Sequence, residues 1–402
     1  VIQGVGVGGL SALTQVCMAA MIAPRERGRY SGYLGATFAL ATVTGPLIGG
    51  VIVDTPWLGW RWCFYVGVPF AIAALVVLQR TLHLPTIKRD DVVIDWRGAT
   101  LITAAVSLLL VWVSLAGHNF DWWSWQTTAM VGGSVAIAGL AIRTEARAAE
   151  PIIPLHLFRS RTIVMATVAS LFVGVAMYGA TIFLSQYFQI SRGASPTKSG
   201  LLTMPLILGL FLSSLVSGRI ITRTGRWKRF LLAGTALVTV GMALMGLLRY
   251  DTPYWQVSAY MALIGLGIGM CMQNLVLSVQ NTVQIRDLGA ASSTVAFFRT
   301  LGGAAGVSVL GAVLGHQVYA HITSGLTGLG VRAGGMSGST TAIPSLGTLP
   351  GPIRLVVQQA YGIGAADIFL VAAPIAFLSF VAVCFIHEVP LRSSNEDVAP
   401  PL

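Results

Sequence analysis

The sequence predicts an all-α polytopic membrane protein, and three observations carry that prediction. Charged residues make up only 10% of the chain and hydrophobic residues 55%, whereas soluble domains carry about 25% charged residues. The charges cluster, and between the clusters lie uncharged runs of roughly 20 residues, the length that crosses a hydrocarbon core as a helix. Mean hydropathy is +0.77. The alternating segments of about ten residues that build a membrane β-barrel are absent.

Eleven spans follow from these runs, over residues 1–23, 31–53, 62–79, 98–117, 127–143, 161–188, 199–221, 230–248, 255–281, 290–315 and 366–387. The second contains Gly32 to Gly50, GYLGATFALATVTGPLIGG, an uncharged stretch rich in side chains of minimal size. Gly costs about 1 kcal/mol and interior Pro about 3 kcal/mol in a water-exposed helix. Within a membrane the same residues let two backbones approach, and neighbouring groups repair the hydrogen bond that Pro46 removes. Pro24 to Arg29 is expected as a tight basic turn before this span. Gly265-x-Gly267-x-Gly269 and Gly302-x-x-x-Gly306 are expected as packing surfaces. Residues 316–365, rich in Gly, Ser and Thr, are expected as a flexible outer loop.

Lys and Arg set the orientation. One set of alternate loops and tails holds 18 of the 25, and the other holds six. The first set is therefore expected in the cytoplasm, with Arg299 left inside a span. Trp60, Trp62 and Tyr65, and again Trp122, Trp123 and Trp125, suit the interfacial aromatic belts.

Several function classes are excluded. The net charge of +11 is spread over short loops, so no nucleic-acid surface is expected. Cys17, Cys63, Cys271 and Cys384 are scattered without a C-x-x-C pair, which argues against a zinc site or a disulfide framework. Gly4-x-Gly6-x-x-Gly9 fits a dinucleotide fingerprint by spacing but has neither the preceding strand nor the ribose-binding acid. No nucleophile–base constellation is present, and the six histidines avoid span centres. Neither an enzyme nor a cofactor is expected. The partners are the lipid bilayer and a small-molecule substrate.

Gly32, Ala41, Gly45, Pro46, Gly49 and Gly50 resemble the fifth-helix motif of drug exporters in the major facilitator superfamily, with Ala41 where the family has Gly. Gln3-Gly4-x-Gly6 resembles the end of that family's fourth-helix motif. Gly218, Arg223, Gly225, Arg226 and Lys228 resemble its cytoplasmic gate loop, with Thr222 in the place of the usual Asp. Asp95-Trp96-Arg97-Gly98 resembles the start of the extra helix pair of its fourteen-helix drug:proton antiporters.

The resemblance implies a major facilitator fold with eleven of fourteen helices. It also implies an upstream continuation of three spans, with an Arg just before Val1 and a proton-coupling Asp in the first span. Residues 1–80 are then the remainder of an N-terminal bundle, 81–160 the extra pair with its cytoplasmic loops, 161–388 a C-terminal six-helix bundle and 389–402 a cytoplasmic tail.

A proton antiporter needs a carboxylate that titrates in the substrate cavity. All 14 acids are expected in loops, tails or span ends, and Asp54 and Asp367 are outer-end candidates for secondary roles. Gln273 with Gln280 and Asn274 with Asn281 repeat at seven residues, so each pair shares a helix face. Those amides line a water-filled cavity or bond neighbouring helices. Tyr178 and Gln186 lie on a second polar face. Arg299 is either a contact residue or a snorkelling charge.

The function these residues imply is proton-driven export of drugs or other amphipathic molecules by a monomer in the plasma membrane, with the proton gradient as energy source. The alternatives are export of an endogenous metabolite or lipid on the same scaffold, and a membrane fragment without transport activity.

Overall fold

The computed structural model describes residues 2–22, 24–55, 57–81, 95–116, 119–148, 150–328, 350–389 and 391. Thirteen α-helices run along the described residues. They are α1 (Ile2–Met21), α2 (Pro24–Asp54), α3 (Trp62–Tyr65), α4 (Gly67–Thr81), α5 (Trp96–Leu115), α6 (Trp125–Glu145), α7 (Arg161–Gln186), α8 (Pro196–Leu202), α9 (Met204–Thr224), α10 (Lys228–Met245), α11 (Tyr254–Gln280), α12 (Leu288–Gly328) and α13 (Gly351–Cys384). Among the described residues, ten helical stretches are long and apolar enough to cross a membrane. In addition, α1 forms an uncharged 20-residue helix where the first span is expected.

Two expectations need correction. Residues 316–328 and 351–365 are helical, because α12 runs on to Gly328 and α13 starts at Gly351. A buried stripe explains this: Val318, Ile322 and Leu326 recur every four residues and are almost fully covered. Gly364 and Gly325 allow the close fit, since a Cβ on either would press into Val318 or Val356 respectively. Helical packing against a neighbour outweighs the loop-like composition. The middle of the expected loop, residues 329–349, lies outside the described residues, as does nearly all of the tail. The second correction concerns Pro24 to Arg29, which form the first turns of α2 rather than a turn before it. Proline is favoured in that first turn, where its missing N–H costs nothing.

Helices α7 and α9–α13 make one bundle with two buried apolar clusters. One joins Phe183, Met242, Ile264 and Phe369. The other joins Ile163, Trp227, Leu231 and Val383 toward the end where α9 meets α10. Helix α11 sits at the centre. Cβ atoms on Gly265 or Gly269 would collide with the Leu206 or Leu210 carbonyl of α9, and a Cβ on Gly267 would lie 2.8 Å from the Val238 nitrogen of α10. The three glycines therefore serve two faces of one helix. Glycines 302, 303 and 306 of α12 allow a similarly close approach, all against α7, at Leu171, Tyr178 and Val175.

Beside the bundle, α5 and α6 form a hairpin. Asp95 caps α5 by accepting a bond from Gly98 N at 2.8 Å, and Ser124 caps α6 through Thr127 N at 3.3 Å. Ser134 Oγ donates to the Ala105 carbonyl at 2.9 Å, joining the two helices. The hairpin touches the bundle where Ser114 and Ser308 hydroxyls lie 3.4 Å apart. Helix α4 buries no side chain against the other described residues.

Candidate functional site

The site begins with the small residues of α2. A Cβ on Gly28 would lie 2.9 Å from Thr222 Oγ1, one on Gly32 would lie 2.9 Å from the Ser214 carbonyl, and one on Gly35 would strike the Ser214 hydroxyl. From the other side, a Cβ on Gly218 would lie 2.5 Å from the Gly28 carbonyl. Ala36 and Ala39 continue the same buried face. Higher on α2, a Cβ on Gly50 would lie 2.8 Å from Thr197 Cα of α8. Gly45 has nothing within 4 Å, Gly49 only Cys63 Sγ at 4.0 Å, and Ala41 is exposed. The side chain of Pro46 lies outside the described residues. Contact between α2 and the bundle is thus concentrated at Gly28–Ala39 and at Gly50. Gly32 and Gly50 of the sequence motif take part, and Gly28 and Gly35 are additions.

Polar groups gather along this seam. Gln15 of α1 donates from Nε2 to Gln273 Oε1 of α11 at 3.1 Å, across two groups of helices far apart in sequence. Ser214 Oγ donates to the Gly32 carbonyl at 3.3 Å. Asn274 donates to Ser217 Oγ at 3.4 Å and to the Met270 carbonyl at 2.7 Å. Gln280 donates to Ser292 Oγ at 2.9 Å, and Asn281 to the Val389 carbonyl at 3.1 Å. All four amides are buried, and these bonds tie α11 to α1, α9, α12 and the segment after α13. Gln15, Ser214 and Ser217 were not singled out in the sequence; the spacing Gly28-x-x-x-Gly32 was the available signal for close packing.

Arg299 of α12 is half-buried and donates from Nη1 to the Met272 carbonyl at 3.3 Å. Its other guanidinium donors carry no bond among the described residues. A Cβ on Gly174 would collide with the Arg299 carbonyl, so α7 presses on α12 at this level. Tyr178 packs its ring on Gly303. Gln186 lies elsewhere, in a cavity of about 740 Å³ between α7, α12, α13 and the tip of the α5–α6 hairpin, together with His316, Gln317 and Tyr361. Asp367, expected at a span end, instead lies near the middle of α13 and is half-buried, because α13 starts as early as Gly351. The side chain of Asp54 lies outside the described residues.

Gln3, Gly4 and Gly6 sit on the open part of α1: Gln3 is exposed, and neither glycine has a neighbour within 4 Å. At the loop expected as a gate, Gly225 ends α9 in the left-handed conformation at φ 70°, the position glycine favours after a helix. Thr222 donates to the Gly218 carbonyl of its own helix at 2.9 Å, while Arg223 and Arg226 are exposed.

An unforeseen clasp lies beside that loop. Glu388 Oε1 accepts from Trp227 N at 3.0 Å and Lys228 N at 3.1 Å, capping α10 from 160 residues away. Trp227 is fully buried, and its Nε1 donates to the Val389 carbonyl at 3.0 Å. Lys228 Nζ donates to the Cys384 carbonyl at 3.1 Å. Loss of a cap costs about 0.5–2 kcal/mol. Glu388→Ala is therefore expected to lower the detergent melting midpoint while Glu388→Gln, which keeps an acceptor oxygen, lowers it less; equal midpoints for both variants and the parent would show that the clasp carries no stability.

Among the described residues no group of three or more metal-ligating side chains exists. The site is a smooth, hydrogen-bonded seam between two groups of membrane helices.

Comparison with known proteins gives the frame for this seam. Residues 1–307 match the Major Facilitator Superfamily model. Over 98% of its length the chain is 37% identical to an uncharacterized MFS-type transporter of Mycobacterium tuberculosis, of which it covers 57%. Over 78% of its length it is 32% identical to the multidrug transporter protein MdtP of Bacillus subtilis, again covering 57%. An efflux pump of Gibberella moniliformis is 28% identical over 97% of the chain, which covers 71% of it. The chain thus spans a little over half the length of the first two of these relatives. With ten stretches able to cross a membrane, and a family model that matches most of its length, it is a multi-pass membrane protein that belongs to the Major Facilitator Superfamily.

Proposed function

We propose that the chain belongs to a secondary exporter that expels drugs or other amphipathic small molecules by alternating access, in exchange for protons. The observation that carries this is the seam of α2 on α9. Gly28, Gly32 and Gly35 meet Ser214 and Gly218 with few hydrogen bonds across the join. Smooth contacts of this kind hold two blocks of helices together and still let them rock about a shared site near the bilayer midplane. The relatives named as a multidrug transporter and an efflux pump support the direction and the substrate class. The energy source is the proton gradient, with no cofactor, and the setting is the plasma membrane, with a monomer as the working unit.

Resistance spectra test this proposal. A drug-sensitive host expressing the complete protein is expected to tolerate several structurally unrelated cationic amphiphiles. Unchanged susceptibility across the panel, with the protein present in the membrane, would reject drug export and favour an endogenous metabolite or lipid as cargo.

A further inference from the structure

The foot of the α5–α6 hairpin holds two carboxylates whose free oxygens both border Gly98. Asp95 uses Oδ1 as the cap of α5, accepting from Gly98 N at 2.8 Å. Glu145, at the end of α6, uses Oε2 to accept from Ile153 N at 3.1 Å. The second oxygens, Asp95 Oδ2 and Glu145 Oε1, are both shut off from solvent and have no hydrogen-bond partner. Both converge on Gly98, where an added Cβ would collide with each of them. Glu145 as a whole is only 5% exposed.

No cation neutralises this pair among the described residues. Arg97 on α5, and Arg143 and Arg147 on and after α6, are exposed, and none forms an ion pair with either acid. Glu150 in the following segment is half-buried. Helix α12 meets α5 at the opposite end, through Ser114 and Ser308, so Arg299 and His316 of α12 do not face the pair. Two ionised carboxylates facing each other in a dry site repel strongly, and one of them gives up its charge instead.

We propose that Asp95 and Glu145 bind one proton between them, as a carboxyl donating to a carboxylate. The shared proton turns two orphaned acceptors into one hydrogen bond and leaves a single negative charge. It fixes the start of α5 to the end of α6 and, through the Glu145 bond to Ile153, to the segment that leads into the six-helix bundle. Loss of the proton places two like charges over Gly98 and drives the hairpin foot apart. Through this foot, pH on its side of the membrane acts on how the hairpin is attached to the bundle. This proposal is independent of the cargo.

Infrared difference spectroscopy on the complete protein tests it. The parent is expected to show the C=O stretch of a protonated carboxyl at neutral pH, and this band is lost in both Glu145→Gln and Asp95→Asn. The melting midpoint supplies a second readout. In the parent the shared-proton bond is present at low pH and is lost as pH rises, so the midpoint falls along that limb. In Glu145→Gln the amide N–H replaces the proton, the volume is unchanged and the same limb stays level. Absence of a protonated carboxyl band that either substitution removes would overturn the proposal. So would a midpoint in Glu145→Gln that falls with pH as the parent's does, or a pair stabilised by added metal cations in place of the proton.

Discussion

Gly265→Val is expected to eliminate folded protein. A Cβ at this position drives into the Leu206 carbonyl of α9, and the nearest atoms are all backbone. Overpacking a flexible side chain costs about 1–3 kcal/mol, and here no flexible side chain is available to give way. The penalty is therefore expected to exceed about 3 kcal/mol, a large part of the 5–15 kcal/mol that holds a typical protein folded. Separation of α9 from α11 would also disturb α10, which rests on the opposite face through Gly267. Gly139→Val provides the control, because Gly139 on α6 is exposed and has nothing within 4 Å. Monodisperse yield in detergent separates the two: none for Gly265→Val, parent-like for Gly139→Val. Equal yields would contradict the close-packed arrangement around α11.

Arg299→Gln is expected to act the opposite way, with export lost and folding kept. Arginine at the centre of a membrane helix costs about 2.5–3.5 kcal/mol on insertion scales, so removing the charge does not cost stability. Gln retains a donor for the Met272 carbonyl. What disappears is the set of charged donors that carry no bond among the described residues. A hydrogen bond to a charged group contributes about 1.5–3 kcal/mol, which corresponds to a loss of about tenfold or more in transport rate if cargo or a moving helix uses it. Parent-like export by a normally folded Arg299→Gln protein would reduce Arg299 to a snorkelling charge.

The helices were legible because the membrane imposes a simple rule: about 20 apolar residues between charges. Gly265, Gly267, Gly269, Gly302 and Gly306 were legible for a related reason, since glycine in a membrane helix marks close approach. Where composition and packing disagreed, packing prevailed. His316 to Gly328 contains loop-forming residues, yet Val318, Ile322 and Leu326 bury a four-residue stripe. The amides Gln273 and Asn274 could be placed on a shared face but not assigned a role, because one spacing serves a wet cavity and a helix–helix bond equally. Their partners, Gln15 and Ser217, come from helices 258 and 57 residues away. The Glu388 cap and the Asp95–Glu145 pair were hidden for the same reason. Local sequence shows a charge near a span end, whereas its meaning depends on what the fold brings opposite.

The most direct measurement is dye flux in proteoliposomes containing the complete protein, with an imposed pH gradient. Proton-driven export predicts dye movement coupled to proton counterflow, abolished by a protonophore and reduced about tenfold or more by Arg299→Gln. Dye movement indifferent to the gradient and the protonophore, or no movement from correctly folded protein, would contradict proton-coupled drug export.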